Sequence, residues 1–133
     1  MNHLPKTRTR IDTIRTFRDA RGALFEPLDA DGLALQRNTH VVLTEPGCVR
    51  GNHYHLAGTE VSVVPGPAFV RLKEDGRIHD IEVPDGETWR FTIPPGVVHA
   101  YRNPGPRTML LVAFNTEAHD PARPDAVRED ILA

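Results

Sequence analysis

No long segment of this 133-residue chain sustains an apolar repeat near 3.6 residues; its β-forming runs are short and are cut by twelve prolines and ten glycines. A helical bundle needs long amphipathic periods, whereas short strands joined by Pro- and Gly-rich turns build sandwiches and barrels. The runs Ala23–Glu26, Leu33–Thr44, Val61–Val64, Ala68–Leu72, Ile78–Val83, Trp89–Ile93 and Thr108–Phe114 predict strands. Turns are expected at Asp19–Gly22, at Asp31–Gly32, at Pro46–Gly47 and, as a hairpin, at Asp75–Gly76. Only Pro124–Leu132 departs from this grammar and predicts a short C-terminal helix, although its acidic end opposes the helix dipole. The chain has the length of one domain, and we expect residues 19–133 to form it, with residues 1–18 as an N-terminal arm or edge strand.

Charge excludes some partners. The formal net charge is −2, and the basic run from Lys6 to Arg21 lacks both aromatic interleaving and a recognition-helix motif. It reads as a solvated arm that packs on a second subunit, with an edge strand around Ile11–Phe17, and not as a nucleic-acid surface. Cys48 is the only cysteine, so an intrachain disulfide and a thiolate metal centre are both excluded. No apolar run resembles a signal peptide or reaches bilayer length, which places the expected location in the cytoplasm with no membrane partner. Glycine-rich dinucleotide and phosphate-loop motifs are missing.

The chemistry concentrates in two stretches. In the first, Gly47 to Glu60, extended backbone puts His53 and His55 on one face and Tyr54 on the other. Glu60, after a short connection, can fold back beside them, and His99 in the second stretch, Pro94 to Asn103, completes a set of three imidazoles and one carboxylate. That set suits a divalent first-row metal with positions left for water or substrate; the alternative is a pair of ordinary hydrogen-bonded strand histidines. Tyr101 shares the parity of His99 and Asn103, which makes it either a proton donor in the cavity or a packed tyrosine with a satisfied hydroxyl. Arg50, just before the first motif, and the strand arginines Arg71 and Arg90 have forked donors that suit a substrate phosphate, Arg50 foremost, and His40 is a candidate cavity liner.

A cation beside a carbonyl stabilises the negative oxygen that forms when a neighbouring C–H proton is removed, and His53, His55 or Tyr101 can move that proton. Epimerisation and ketose/aldose-type isomerisation follow. The same ligands holding Fe(II) would instead serve an oxygenase, and a third reading is a domain that binds sugar without turnover.

The spacing Gly-x5-His-x-His-x4-Glu from Gly47, followed by Gly66 and by Pro-x-Gly-x2-His-x3-Asn from Pro94, resembles the two signature motifs of the cupin superfamily. The Glu60-to-Gly66 interval is one residue shorter than usual, and Gly86 lies slightly further upstream of Pro94; both differences fall at turns. Asp19-x-Arg21-Gly22, Arg50-Gly51-Asn52-His53-Tyr54-His55, Asn115-x-Glu117 and Asp120-Pro121-x-x-Pro124-Asp125 look like the C-terminal cupin domain of capsular-polysaccharide nucleotide-sugar enzymes. More distantly, the chain is similar to dTDP-4-keto sugar epimerases and 3,4-ketoisomerases. The resemblance implies an all-β double-stranded β-helix, a cupin jelly-roll barrel, acting on a keto-deoxy nucleotide sugar in surface-polysaccharide synthesis, with any reduction carried by another polypeptide. It implies a metal held by His53, His55, Glu60 and His99, with zinc favoured over iron, manganese or nickel. Arg50 would contact the diphosphate and Arg21 would support the site; a homodimer is expected. In the ketoisomerase branch the paired histidines are thought to do acid/base work without metal. Leu56-Ala57-Gly58-Thr59 stands where the relatives tend to carry a lysine.

Overall fold

The computed structural model describes Leu4 and residues 6–133. The start of the expected N-terminal arm, residues 1–3 and 5, lies outside the described residues. Two five-stranded antiparallel sheets face one another. The first is ordered β1 (Arg10–Ile14), β9 (Thr88–Ile93), β6 (Glu60–Pro65), β11 (Met109–Asn115), β4 (Asn38–Thr44). The second is ordered β12 (Ala126–Arg128), β5 (Val49–His55), β10 (Val98–Arg102), β7 (Ala68–Glu74), β8 (Arg77–Val83). A two-stranded ribbon, β2 (Phe17–Asp19) with β3 (Gly22–Leu24), stands apart from both. No helix of the described residues is long and apolar enough to cross a membrane.

Alternation sets the core. Along β7, Ala68, Val70 and Leu72 are buried while Phe69, Arg71 and Lys73 are partly exposed, as a strand with one inward face requires. They meet Val64, Phe91, Ile93, Val97 and Leu111 between the sheets. Burying each large apolar side chain contributes on the order of 1.5–3 kcal/mol. The run Val61–Val64, apolar but for Ser62, is buried throughout because β6 is covered on both faces. Its outer face carries Val61 and Val63, which pack with Phe114 beneath Phe25 and Leu28 of the segment that follows β3.

Two expectations need correction. The residues around Asp31–Gly32 form α1 (Ala30–Ala34), not the expected turn, because the Asp29 carboxylate caps the helix by accepting from Gly32 N at 2.7 Å; β4 accordingly begins at Asn38 and not near Leu33. The C-terminal segment is not a helix. It runs extended as β12 on the edge of β5, pairing Ala126 with His55 and Arg128 with His53. Asn52 then claims the backbone that a helix would need: its Oδ1 accepts from Ile131 N and Leu132 N, its Nδ2 donates to Leu132 O, and its own carbonyl accepts from Glu129 N. Nine residues hold few internal helical bonds, so these long-range partners win.

Candidate active site

The site forms where β5 and β10 approach most closely. Gly51 (φ 91°) and Asn52 (φ 61°) both adopt left-handed backbone, and the register slips by one residue there, pairing His99 with His53 but Ala100 with Gly51. This is a β-bulge, which re-aims the side chains beyond it. A Cβ on residue 51 would lie 2.7 Å from the His99 carbonyl oxygen, so only glycine permits the approach. Beyond the bulge, His53 and His55 both turn between the sheets. Their rings lie 4.7 Å and 5.5 Å from that of His99, centroid to centroid.

Glu60 comes from the opposite sheet, as the first residue of β6. It is buried, and each of its oxygens is engaged. Oε1 lies 3.0 Å from His55 Nε2; Oε2 accepts from Ser62 Oγ at 2.5 Å and lies 3.3 Å from His99 Nε2. The Tyr101 hydroxyl stands 2.7 Å from Ser62 Oγ and 3.0 Å from Glu60 Oε2, and its one proton serves one of them at a time. His99 Nδ1 pairs with the Val97 carbonyl at 3.0 Å, which directs Nε2 to the carboxylate.

Electrostatics follow from this geometry. Burial opposes ionisation of Glu60, but the charge of His99 and hydrogen bonds from His55, His99 and Ser62 outweigh it and hold the carboxyl well below its ordinary value. Burial likewise opposes the His99 cation, and Glu60 with the Val97 carbonyl overcomes it, raising that imidazole. His53 is pushed down to about 4, first by burial and then by the His99 charge, so it is neutral at pH 7. Burial and the Glu60 charge push Tyr101 well above its usual value, so the phenol keeps its proton. The cluster thus combines a neutral imidazole, a buried imidazole–carboxylate pair and a phenol.

One donor atom from each of His53, His55, Glu60 and His99 can be chosen so that all four lie within 4.8 Å of one another. His55 Nδ1 and His99 Nε2 are buried with no well-aligned hydrogen bond, facing Asp125 Oδ2 at 3.5 Å and Glu60 Oε2 at 3.3 Å. Nitrogen and carboxylate donors gathered this closely fit a divalent cation.

The predicted arginines separate. Arg50 lines a cavity of about 180 Å³ together with His40, His53, Glu60 and Tyr101. Arg21 does not reach the cluster; it sits on the exposed β2–β3 ribbon, bonded to Asp19 at 2.5 Å. Arg90 points to the outer face of the first sheet, where it pairs with Asp12 at 3.2 Å and donates to Pro27 O. Arg71 is paired with Asp80. Three contributors escaped the sequence reading. Ser62 shares the inward parity of Glu60. Asn52 was signalled by following a glycine at a strand irregularity. Asp125 accepts from Ala57 N and Gly58 N and lies 3.5 Å from His55 Nδ1.

Comparison with known proteins now bears on the fold. A family model described as the polysaccharide biosynthesis C-terminal domain matches residues 17–127. The chain belongs to the polysaccharide biosynthesis C-terminal domain family. No curated protein sequence matches it. Among solved structures, this family member is similar to the capsular polysaccharide assembling protein CapF from Staphylococcus aureus, with TM-score 0.66 and 24% identity over 89% of the chain and 33% of CapF. It therefore spans about a third of that protein's length. It is also similar to a dTDP sugar isomerase from Desulfovibrio desulfuricans G20, with TM-score 0.77 and 18% identity over 96% of this chain and 87% of the other. A third likeness is to QdtA, a sugar 3,4-ketoisomerase from Thermoanaerobacterium thermosaccharolyticum in complex with TDP, with TM-score 0.66, 19% identity, and coverage of 97% and 90%. The fold of this family member is the all-β cupin jelly roll.

Proposed function

We propose that the protein epimerises or isomerises a keto-deoxy nucleotide sugar for surface-polysaccharide synthesis, in the cytoplasm and as a homodimer. The observation that carries this reading is the clustering of His53, His55, Glu60 and His99 inside a cupin barrel, with His53, His55, Glu60 and Tyr101 lining the cavities that reach it. Removing a proton beside a carbonyl requires an acceptor facing the carbon and donors facing the oxygen that gains charge. His53, neutral and lining both cavities that reach the cluster, is the acceptor in this scheme. Tyr101, which lines the smaller cavity, supplies a proton on the other side, and Glu60, backed by His99, holds it in place. His55, tied to Glu60 Oε1, orients the carboxylate and relays a proton with it. Arg50 holds the diphosphate through its forked donors.

His53, His55, Glu60 and His99 are the residues that would hold a divalent cation, zinc foremost. Bound there, it would supply Lewis-acid polarisation of a substrate carbonyl. Dimer formation is supported by exposed apolar side chains on the isolated ribbon and the edge strand β4: Phe17, Leu24, Val41 and Leu43 are 49–63% exposed.

The test is incubation with UDP-, dTDP- and GDP-linked 4-keto-6-deoxy sugars in deuterated water. The reading expects deuterium beside the carbonyl, lost in His53→Ala. Absence of exchange across all three series, or bound iron with substrate-dependent oxygen uptake, would displace it.

A further inference from the structure

The keto nucleotide-sugar reading leaves open how the substrate lies, and the cavities bear on this. Two cavities reach the cluster, and they share His40, His53 and Glu60 as a common floor. The smaller, about 180 Å³, extends past Tyr101 to Arg50. The larger, about 440 Å³, extends to Glu117, His119 and Asp120 in the segment following β11.

Charge distinguishes the two ends. Arg50 is exposed, makes only a long 3.4 Å bond to the Leu43 carbonyl, and has no carboxylate partner among the described residues. Its donors are free for an anion. The larger cavity has no lysine or arginine among its described lining residues, and beyond Glu60 it carries the carboxylates of Glu117, Asp120 and Asp125. Asp125 is committed to the amides of residues 57 and 58. Asp120 accepts from Ala122 N with one oxygen, and its other oxygen and the Glu117 carboxylate remain open acceptors. A diphosphate at this end would meet like charge with no cation to offset it, whereas sugar hydroxyls, which donate, would be well received. Beneath the floor, fully buried His99 sets its Nε2 3.3 Å from Glu60 Oε2 and so backs the carboxylate that both cavities share.

Resting on the proposed function, we infer that Glu117, His119 and Asp120 form the wall that reads the sugar, with the substrate lying diphosphate toward Arg50 and sugar hydroxyls toward that wall. The reacting carbons then sit over the shared floor. Choice among sugars resides in the 117–120 segment, and affinity for the nucleoside diphosphate resides at Arg50.

Calorimetric titration with dTDP, UDP and GDP, and with their glucose conjugates, separates these roles in wild type, R50Q and the double variant E117Q/D120N. R50Q is expected to weaken the bare diphosphate about tenfold by removing a charge-assisted contact. E117Q/D120N should leave bare-diphosphate affinity within about twofold while weakening the glucose conjugate about fivefold or more. Both variants alter exposed side chains, and circular dichroism with the melting temperature shows whether each is folded. Should R50Q prove unfolded, R50K replaces it, with the same loss expected from the missing fork. The assignment is overturned by a tenfold loss of bare-diphosphate affinity in E117Q/D120N, by an unchanged conjugate affinity, or by failure of wild type to bind any of the three diphosphates. If the titrations follow the expected pattern while no deuterium exchange occurs with keto sugars, the orientation stands and the epimerase reading is what fails.

Discussion

His99 on β10 faces His53 on β5 with ring centroids 4.7 Å apart, and the contact exists because residue 51 has no side chain. Gly51 lets two backbones approach, the bulge at Asn52 resets the register, and the imidazoles beyond it turn toward one another. A backbone requirement and a chemical one thus occupy three consecutive residues.

Gly51→Ala would place a methyl against the His99 carbonyl at a φ of 91°. We expect a loss of about 1–3 kcal/mol in urea unfolding, together with loss of metal uptake, because β5 must move away from β10. A variant that kept both would mean that the approach of these strands does not position the histidines.

Protons govern the metal-free site. The folded value of His99 is raised above 6.5, so its stabilising contribution is fully present below that pH and is lost as pH climbs through the raised value. The folded value of Glu60 is lowered below 4.5, so its contribution is present above that pH and is lost as pH falls through the lowered value. His53, held down at about 4, works against the fold as pH drops from 6.5 towards 4, because the unfolded chain takes up that proton first; metal-free protein should therefore be most stable near pH 6.5, as read by urea midpoints across pH. Glu60→Gln should flatten the alkaline side of that curve.

A divalent cation held by His53, His55, Glu60 and His99 would compete with a proton on His99. Zinc affinity should rise with pH, by up to about tenfold per unit while that imidazole is protonated, and binding should release a proton that calorimetry detects as buffer-dependent heat. Chelation should lower the melting temperature of the loaded protein. Heat independent of the buffer would show that the cation does not displace that proton.

Tyr101→Phe removes one of the hydroxyls at the Glu60–Ser62 pair and leaves the ring in the core. The stability cost should be about 1 kcal/mol, while deuterium exchange should fall about 100-fold or more if the phenol is the proton donor. Equal loss in Ser62→Ala would reassign the effect to the carboxylate's support.

Asn52→Ala leaves the backbone groups of Ile131 and Leu132 without their partners. About 1–3 kcal/mol of stability should be lost, and hydrogen exchange should accelerate selectively over residues 126–132. Protection that persisted there would show that β12 pairing alone holds the segment.

Much of this was legible in the chain because alternation is a local rule. The parity of His53 and His55, and the inward series Ala68, Val70 and Leu72, follow from extended backbone alone. Arg90 shows the limit: parity placed it opposite Phe91, but the outer face of that sheet lies beneath the segment that carries Phe25 and Leu28, not over the site. α1 escaped because five residues carry no period, and only the Asp29 cap marks it. The extended C-terminal segment escaped because its partner, Asn52, lies about eighty residues away, beyond any local propensity.

Glu60 projects from one sheet and the three histidines from the other. Whatever settles among them rivets the two halves of the sandwich, so occupancy is translated into resistance to heat. A melting screen over metals and sugar nucleotides would let the protein report its own ligand before any assay for turnover exists.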